Sequence, residues 1–152
     1  MTDAARSFKT FRPALEESLD LFWEHFSPYA TPFPLSPEPM GSPLLEVLTP
    51  LGPVLAFDRS LTPLPRGNVP ILLHAQVEEW REEAAGSALR HLDGGRYEAV
   101  GRVEARLGGP FFLFKVGTDP ESLTLLLADL EPPPSGSVGT ARLAPPLMAF
   151  RA

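Results

Sequence analysis

From Leu44 onward the hydrophobic positions recur mostly every second residue, and before it they recur every three or four. In residues 13–26, PALEESLDLFWEHF, the apolar positions Leu15, Leu19, Phe22 and Phe26 make one stripe, which Trp23 widens. That spacing predicts an amphipathic helix, with Pro13 in its first turn and Glu16 and Glu17 near its positive end. Residues 27–43 are dense in proline and predict a wrapped arm or linker, neither helix nor central strand. The period of two then gives strands on either side of Leu51-Gly52-Pro53 within residues 44–57, and another over 69–80. Residues 81–92, REEAAGSALRHL, predict a linking helix stopped by Asp93-Gly94-Gly95. YEAVGRVEARL (97–107) alternates, and Gly108-Gly109-Pro110 turns it into a strand over 110–117. Further strands follow over 122–130 and 137–144.

One stretch is written nearly twice. LTPLPRGNV (61–69) and LEPPPSGSV (130–138) share Leu, Pro, Pro, Gly and Val at the same offsets. Leu51-Gly52-Pro53 and Leu107-Gly108-Gly109-Pro110 extend the likeness, and Phe57 then corresponds to Phe114. A glycine lets a strand bend at a barrel corner while flanking prolines stiffen the approach. The pattern therefore predicts a mainly β protein of two related units, each entered through such a corner. Three segments result: an N-terminal helix and proline-rich arm (1–43), a first β unit plus helix (44–95), and a second β unit (96–152). The two units form tandem small barrels or one barrel built from both, and the shortness of the first predicts intimate packing or a homodimer.

Residues 96–152 resemble the OB-fold pattern. They offer a long first strand with a central Gly101, a hairpin into Phe111–Val116, a third strand Leu123–Ala128, and a strand led by Gly136. Glu131-Pro132-Pro133-Pro134 stands where that fold usually carries a helix between its third and fourth strands. The resemblance implies an OB-like barrel with a ligand face on its second and third strands.

Composition narrows the chemistry. The 152 residues contain 19 prolines and no cysteine, which excludes a disulfide framework and thiolate chemistry. The net charge is −6, with the surplus acid in residues 1–95 and a balance in 96–152, so a strong basic field for nucleic acid is absent. No apolar run suffices to cross a bilayer, and MTDAARSFKTFRPALEESLDLFW lacks a basic-then-apolar leader pattern; a cytoplasmic chain with no membrane partner is the expectation. His25, His74 and His91 show no metal-ligand spacing. Glu82 and Glu83 beside Glu78 and Glu79 fit a solvated helix start better than a paired-carboxylate site. No nucleophile, base and orienting group assemble, so no catalytic residue, metal or cofactor is assigned and an enzyme is not expected.

Two functions compete. The first is a non-catalytic interaction protein or accessory subunit that docks a protein partner or a second copy through Phe22, Trp23, Phe26 and Trp80. The second is a single-stranded DNA or RNA binder of OB type. There Arg102, Arg106, Lys115 and Arg142 would pair with phosphates and Phe111 and Leu113 would stack on bases. The competing arrangement for Phe111 and Leu113 covers them with the N-terminal helix or the other repeat.

Overall fold

A computed structural model describes residues 19–35, 44–60, 67–83 and 88–152. Helix α1 spans Leu19–Phe26, and the part of the predicted helix before residue 19 lies outside the described residues. Its inward stripe is Phe22 and Phe26, with Asp20 in the first turn, of favourable sign for the helix dipole, and His25 in the last. Pro28, in the 3-10 turn Ser27–Tyr29, stops the helix. Among the described residues no helix is long and apolar enough to cross a membrane.

Ten strands follow among the described residues: β1 (Thr31–Pro34), β2 (Leu44–Thr49), β3 (Gly52–Asp58), β4 (Asn68–Arg81), β5 (Leu89–His91), β6 (Tyr97–Gly108), β7 (Phe111–Thr118), β8 (Glu121–Ala128), β9 (Val138–Leu143) and β10 (Met148–Phe150). The proline-rich arm, expected to be neither helix nor central strand, supplies the short strand β1, which pairs antiparallel with Asn68–Ile71 of β4. It lies on an edge of β4, where the missing N–H groups of Pro32 and Pro34 cost no central ladder. One expectation is corrected further along the chain. The linking helix predicted over 81–92 is not helical where it is described: Leu89–His91 is strand β5, paired with Tyr97–Ala99 of β6. Local helix propensity there yields to hairpin pairing with the next strand.

The long β4 organises the sheet. Its second half joins β8 in parallel at His74–Gln76 and β9 antiparallel at Val77–Arg81. Since β6 pairs with β7 and β9, and β7 with β8, strands β6, β7, β8, β4 and β9 form a closed ring. The strand that closes it comes from the 44–95 segment, so the closure crosses the boundary expected at residue 95. Its first half carries β1 on one edge and β10 on the other, and β10 continues in parallel to β3 and through it to β2. A single bridge, Leu35 to Val47, brings the end of β1 back to β2. The two corners of the repeated sequence each place a glycine at positive φ just before a strand: Gly67 at +79° before β4, and Gly136 at +90° before β9. Residues 61–66 of the first copy lie outside the described residues.

Alternation sorts the core into two layers. Inside lie Phe112, Phe114 and Val116 of β7, Leu123, Leu125 and Leu127 of β8, and Val69, Ile71, Leu73 and Ala75 of β4. The β2–β3 hairpin adds Leu45, Val47, Val54 and Ala56 to the same cluster. Where β3 leaves β10, the Leu55 N–H donates to the Tyr97 hydroxyl at 3.1 Å, which satisfies a backbone group without a strand partner. The outer layer lies under α1: Phe22 and Phe26 cover Leu72, Phe111, Leu126, Ala128, Met148 and Phe150.

Candidate functional site

The residues expected to bind nucleic acid separate into four places. Phe111 is 2% exposed and belongs to the outer core layer, its ring 4.8 Å from that of Phe26 and 6.3 Å from that of Phe22. Leu113 packs against the same layer and is half-buried. The face of β7–β8 on which a base would have stacked is therefore roofed at Phe111 by α1, and Phe111 has no free face to offer. Arg142 lies on β9, opposite Glu98 of β6 and Glu79 of β4, with its guanidinium 3.6 Å from the Glu79 carboxylate. Arg106 is exposed, with no ion pair among the described residues. Only Arg102 and Lys115 face each other directly, as cross-strand partners on the outer side of β6 and β7.

The expected partner-binding residues move inward. Phe22 and Phe26 are fully buried, Phe22 stacked on Phe150 at a centroid distance of 4.0 Å. Trp23 packs against the same layer and keeps partial exposure. Strict alternation along β4 would put Trp80 on one face with His74, Gln76 and Glu78, and a break in register changes that. Between Val77 and Glu79 the pairing with β9 slips, Leu143 lying opposite Val77 and Arg142 opposite Glu79. Such a bulge inserts one residue and reverses which parity faces inward. Trp80 consequently turns into the ring, edge-on to Phe114 at 5.7 Å. Its Nε1 is buried and finds no acceptor among the described residues.

His74 is wholly buried, and its Nδ1 lies 2.9 Å from the Leu126 carbonyl, where the carbonyl accepts and so requires the Nδ1–H form. The Phe22 ring packs against it at 5.1 Å. His91 lies over the Tyr97 ring at 4.9 Å, and His25 against Phe26 at 4.5 Å. The carboxylates of β4 are used in ion pairs: Glu78 accepts from Arg96 at 3.0 Å, and Glu79 lies 3.5 Å from Arg81. At the centre of this face Glu98 is buried, 2.6 Å from Arg90 and 3.3 Å from Arg81. Burial alone would raise its pKa, but the hydrogen bonds and charges of Arg81 and Arg90 together outweigh that and hold it below the ordinary glutamate range.

The surface that sequence reasoning missed is the outer side of the β2–β3 hairpin. Leu44 pairs with Phe57, Glu46 with Leu55 and Leu48 with Pro53, and cross-strand partners share a face. Leu44, Leu48 and Leu55 are 42%, 37% and 38% exposed. The inner partners, Leu45 with Ala56 and Val47 with Val54, are buried. The signal was present in LLEVLT, where both parities of a strand carry apolar residues although only one can fill the core.

A concavity of about 480 Å³ lies along β6 and β7. Val100, Gly101, Gly117, Ala88 and Val138 give it backbone and apolar surface, and Arg102, Lys115, Thr118 and Asp119 its polar groups. Lys115 donates to Asp119 at 2.8 Å, and Asp119 also accepts from the Ser122 hydroxyl at 2.6 Å. These hydrogen bonds hold the Asp119 carboxyl below the usual aspartate range. Arg102 donates to Glu104 at 3.1 Å. Comparison of the chain with protein-family models, curated proteins and solved structures finds no match.

Proposed function

We propose that this protein is a non-catalytic interaction module, an accessory subunit that docks a protein partner on the outer face of the β2–β3 hairpin. The observation that carries the reading is the apolar set Leu44, Leu48 and Leu55, with Pro53 and Phe57 beside them on the same face. Singly exposed leucines are ordinary on a protein surface, whereas several gathered on one sheet face mark a place of association. In the same proposal the five-stranded ring is an OB-like barrel used as a scaffold. The neighbour order β6, β7, β8, β4, β9, antiparallel throughout except for the β8–β4 pair, supports this. In this reading β6 to β9 are the first four barrel strands, and the fifth is β4, which precedes them in the chain. The scaffold itself does not fix the function.

The competing reading, single-strand binding across β7–β8, loses its stacking residue to the core with Phe111 and retains only the Arg102 and Lys115 pair. The test compares tagged wild type with a Leu48→Asp, Leu55→Asp variant recovered from the producing cell. Both side chains point outward, so the variant stays within about 1 kcal/mol of wild-type stability per substitution. The account expects a defined partner, or a second copy, to be recovered with wild type and with an Arg102→Gln, Lys115→Gln variant, and to be lost from the Asp variant. Equal recovery with all three would overturn it.

A further inference from the structure

We propose that the groove along β6 and β7 binds a nucleotide unit, its phosphate between Arg102 and Lys115 and its ring against the apolar wall formed by Val100 and Val138. The placement of the two cations carries the argument. Arg102 and Lys115 are cross-strand partners, and like charges directly opposite one another on neighbouring strands destabilise a sheet. Cα atoms so paired are about 4.5–5.5 Å apart, which lets both cationic heads reach a single phosphate. Neither charge packs in the inner core, which lies on the opposite face of both strands.

The surroundings select the kind of anion. The groove holds about 480 Å³, within the roughly 300–1,000 Å³ of small-ligand sites. Val138 is half exposed on its wall, a large apolar side chain left in water beside two cations. Gly101 and Gly117 line the groove with backbone. A Cβ at Gly101 would collide with the Lys115 carbonyl, so β6 and β7 approach closely beneath the groove. The Thr118 hydroxyl is a further donor at the same rim. A bare inorganic anion would leave Val100 and Val138 unused, and an apolar ligand would leave the two cations unused.

The carboxylates already in place are replaceable counter-ions. Asp119 is 73% exposed and Glu104 37%, and exposed pairs of this kind contribute little. A phosphate entering the groove takes Lys115 from Asp119, which keeps its hydrogen bond from Ser122. The occupant is thus in competition with Asp119, and that gives the proposal a signature an unspecific cationic surface lacks.

The experiment is a titration of the amide NMR spectrum with adenosine 5′-monophosphate, adenosine, and a short oligothymidylate. The account expects saturable shifts from the monophosphate, concentrated at Arg102, Lys115, Gly117, Thr118 and Val138, and none from adenosine over the same range. Lys115→Gln should weaken binding about tenfold, the scale of one charge-assisted hydrogen bond. Asp119→Asn, which releases Lys115, should tighten it several-fold. Competition by the oligothymidylate with a steep salt dependence would assign the nucleotide to a single strand; binding of the monophosphate alone would assign it to a free nucleotide. Absence of saturable shifts from both phosphate-bearing ligands, or shifts that Lys115→Gln and Asp119→Asn leave unchanged in folded variants, would overturn the proposal.

Discussion

Replacing Phe111 by alanine separates a base-stacking residue from a core residue. The side chain is 2% exposed and meets Phe26, Phe22 and His74 at ring-centroid distances of 4.8, 6.3 and 6.0 Å. Truncating a buried Phe costs about 3–5 kcal/mol, the spread reflecting how far the site can collapse. Here one wall of the cavity is α1, whose described residues, Leu19–Phe26, are held on the sheet by side-chain packing. Some settling of α1 into the space is therefore expected, which puts the loss near the lower figure, about 3 kcal/mol. For a chain of this size each kcal/mol lowers Tm by about 2–4 °C, so the shift should be about 6–12 °C. Urea titration followed by tryptophan fluorescence measures the loss directly, since Trp23 sits on α1 and Trp80 inside the ring. The m-value should be unchanged, as the unfolding surface differs by one side chain. A loss below about 1 kcal/mol, the size expected of a surface change, would refute the placement of α1 over β7–β8.

Other perturbations bear on separate parts of the fold. Because the Glu98 carboxyl is held below its ordinary range in the folded chain, its stabilisation is complete above the unfolded value of about 4.3 and is lost as pH falls through the lower folded value. The stability gap between wild type and Glu98→Gln, read by denaturant titration, should be widest near neutral pH and close in acid; a gap that widens in acid would contradict the assignment. Gly139→Ala should be strongly destabilising in thermal melts, since a Cβ there meets the Arg81 carbonyl and the Trp80 ring, and an unchanged Tm would show that β9 does not pass that close to β4. Arg106→Gln, on an exposed side chain without an ion pair among the described residues, should change stability by no more than about 0.5 kcal/mol.

What could be read in the sequence followed from local pattern, and what could not was set by pairing over distance. Strands β2, β3 and β6 to β9 were legible because alternation and Gly-Pro turns act within a few residues. Closure of the ring by β4 was not, since LLHAQ reads as a buried strand whichever neighbours it takes. The Glu78 bulge was invisible for a related reason: an extra residue leaves composition unchanged while turning Trp80 from the outer face to the inner. The cover over Phe111 was foreseeable as a competitor to base stacking, for two apolar parities in FFLFKV require two layers. The same logic applied to LLEVLT would have exposed the Leu44 and Leu48 face, where no second layer lies among the described residues.

The most direct measurement concerns that face. A photo-crosslinking side chain at position 48, with controls at Leu113 and Arg106, is activated in the producing cell and the adducts are identified by mass. The account predicts one defined adduct from position 48, another protein or a second copy of this chain, and none from the two controls. Adducts from position 113 or 106 with none from 48 would contradict it and move the interface to β6 and β7.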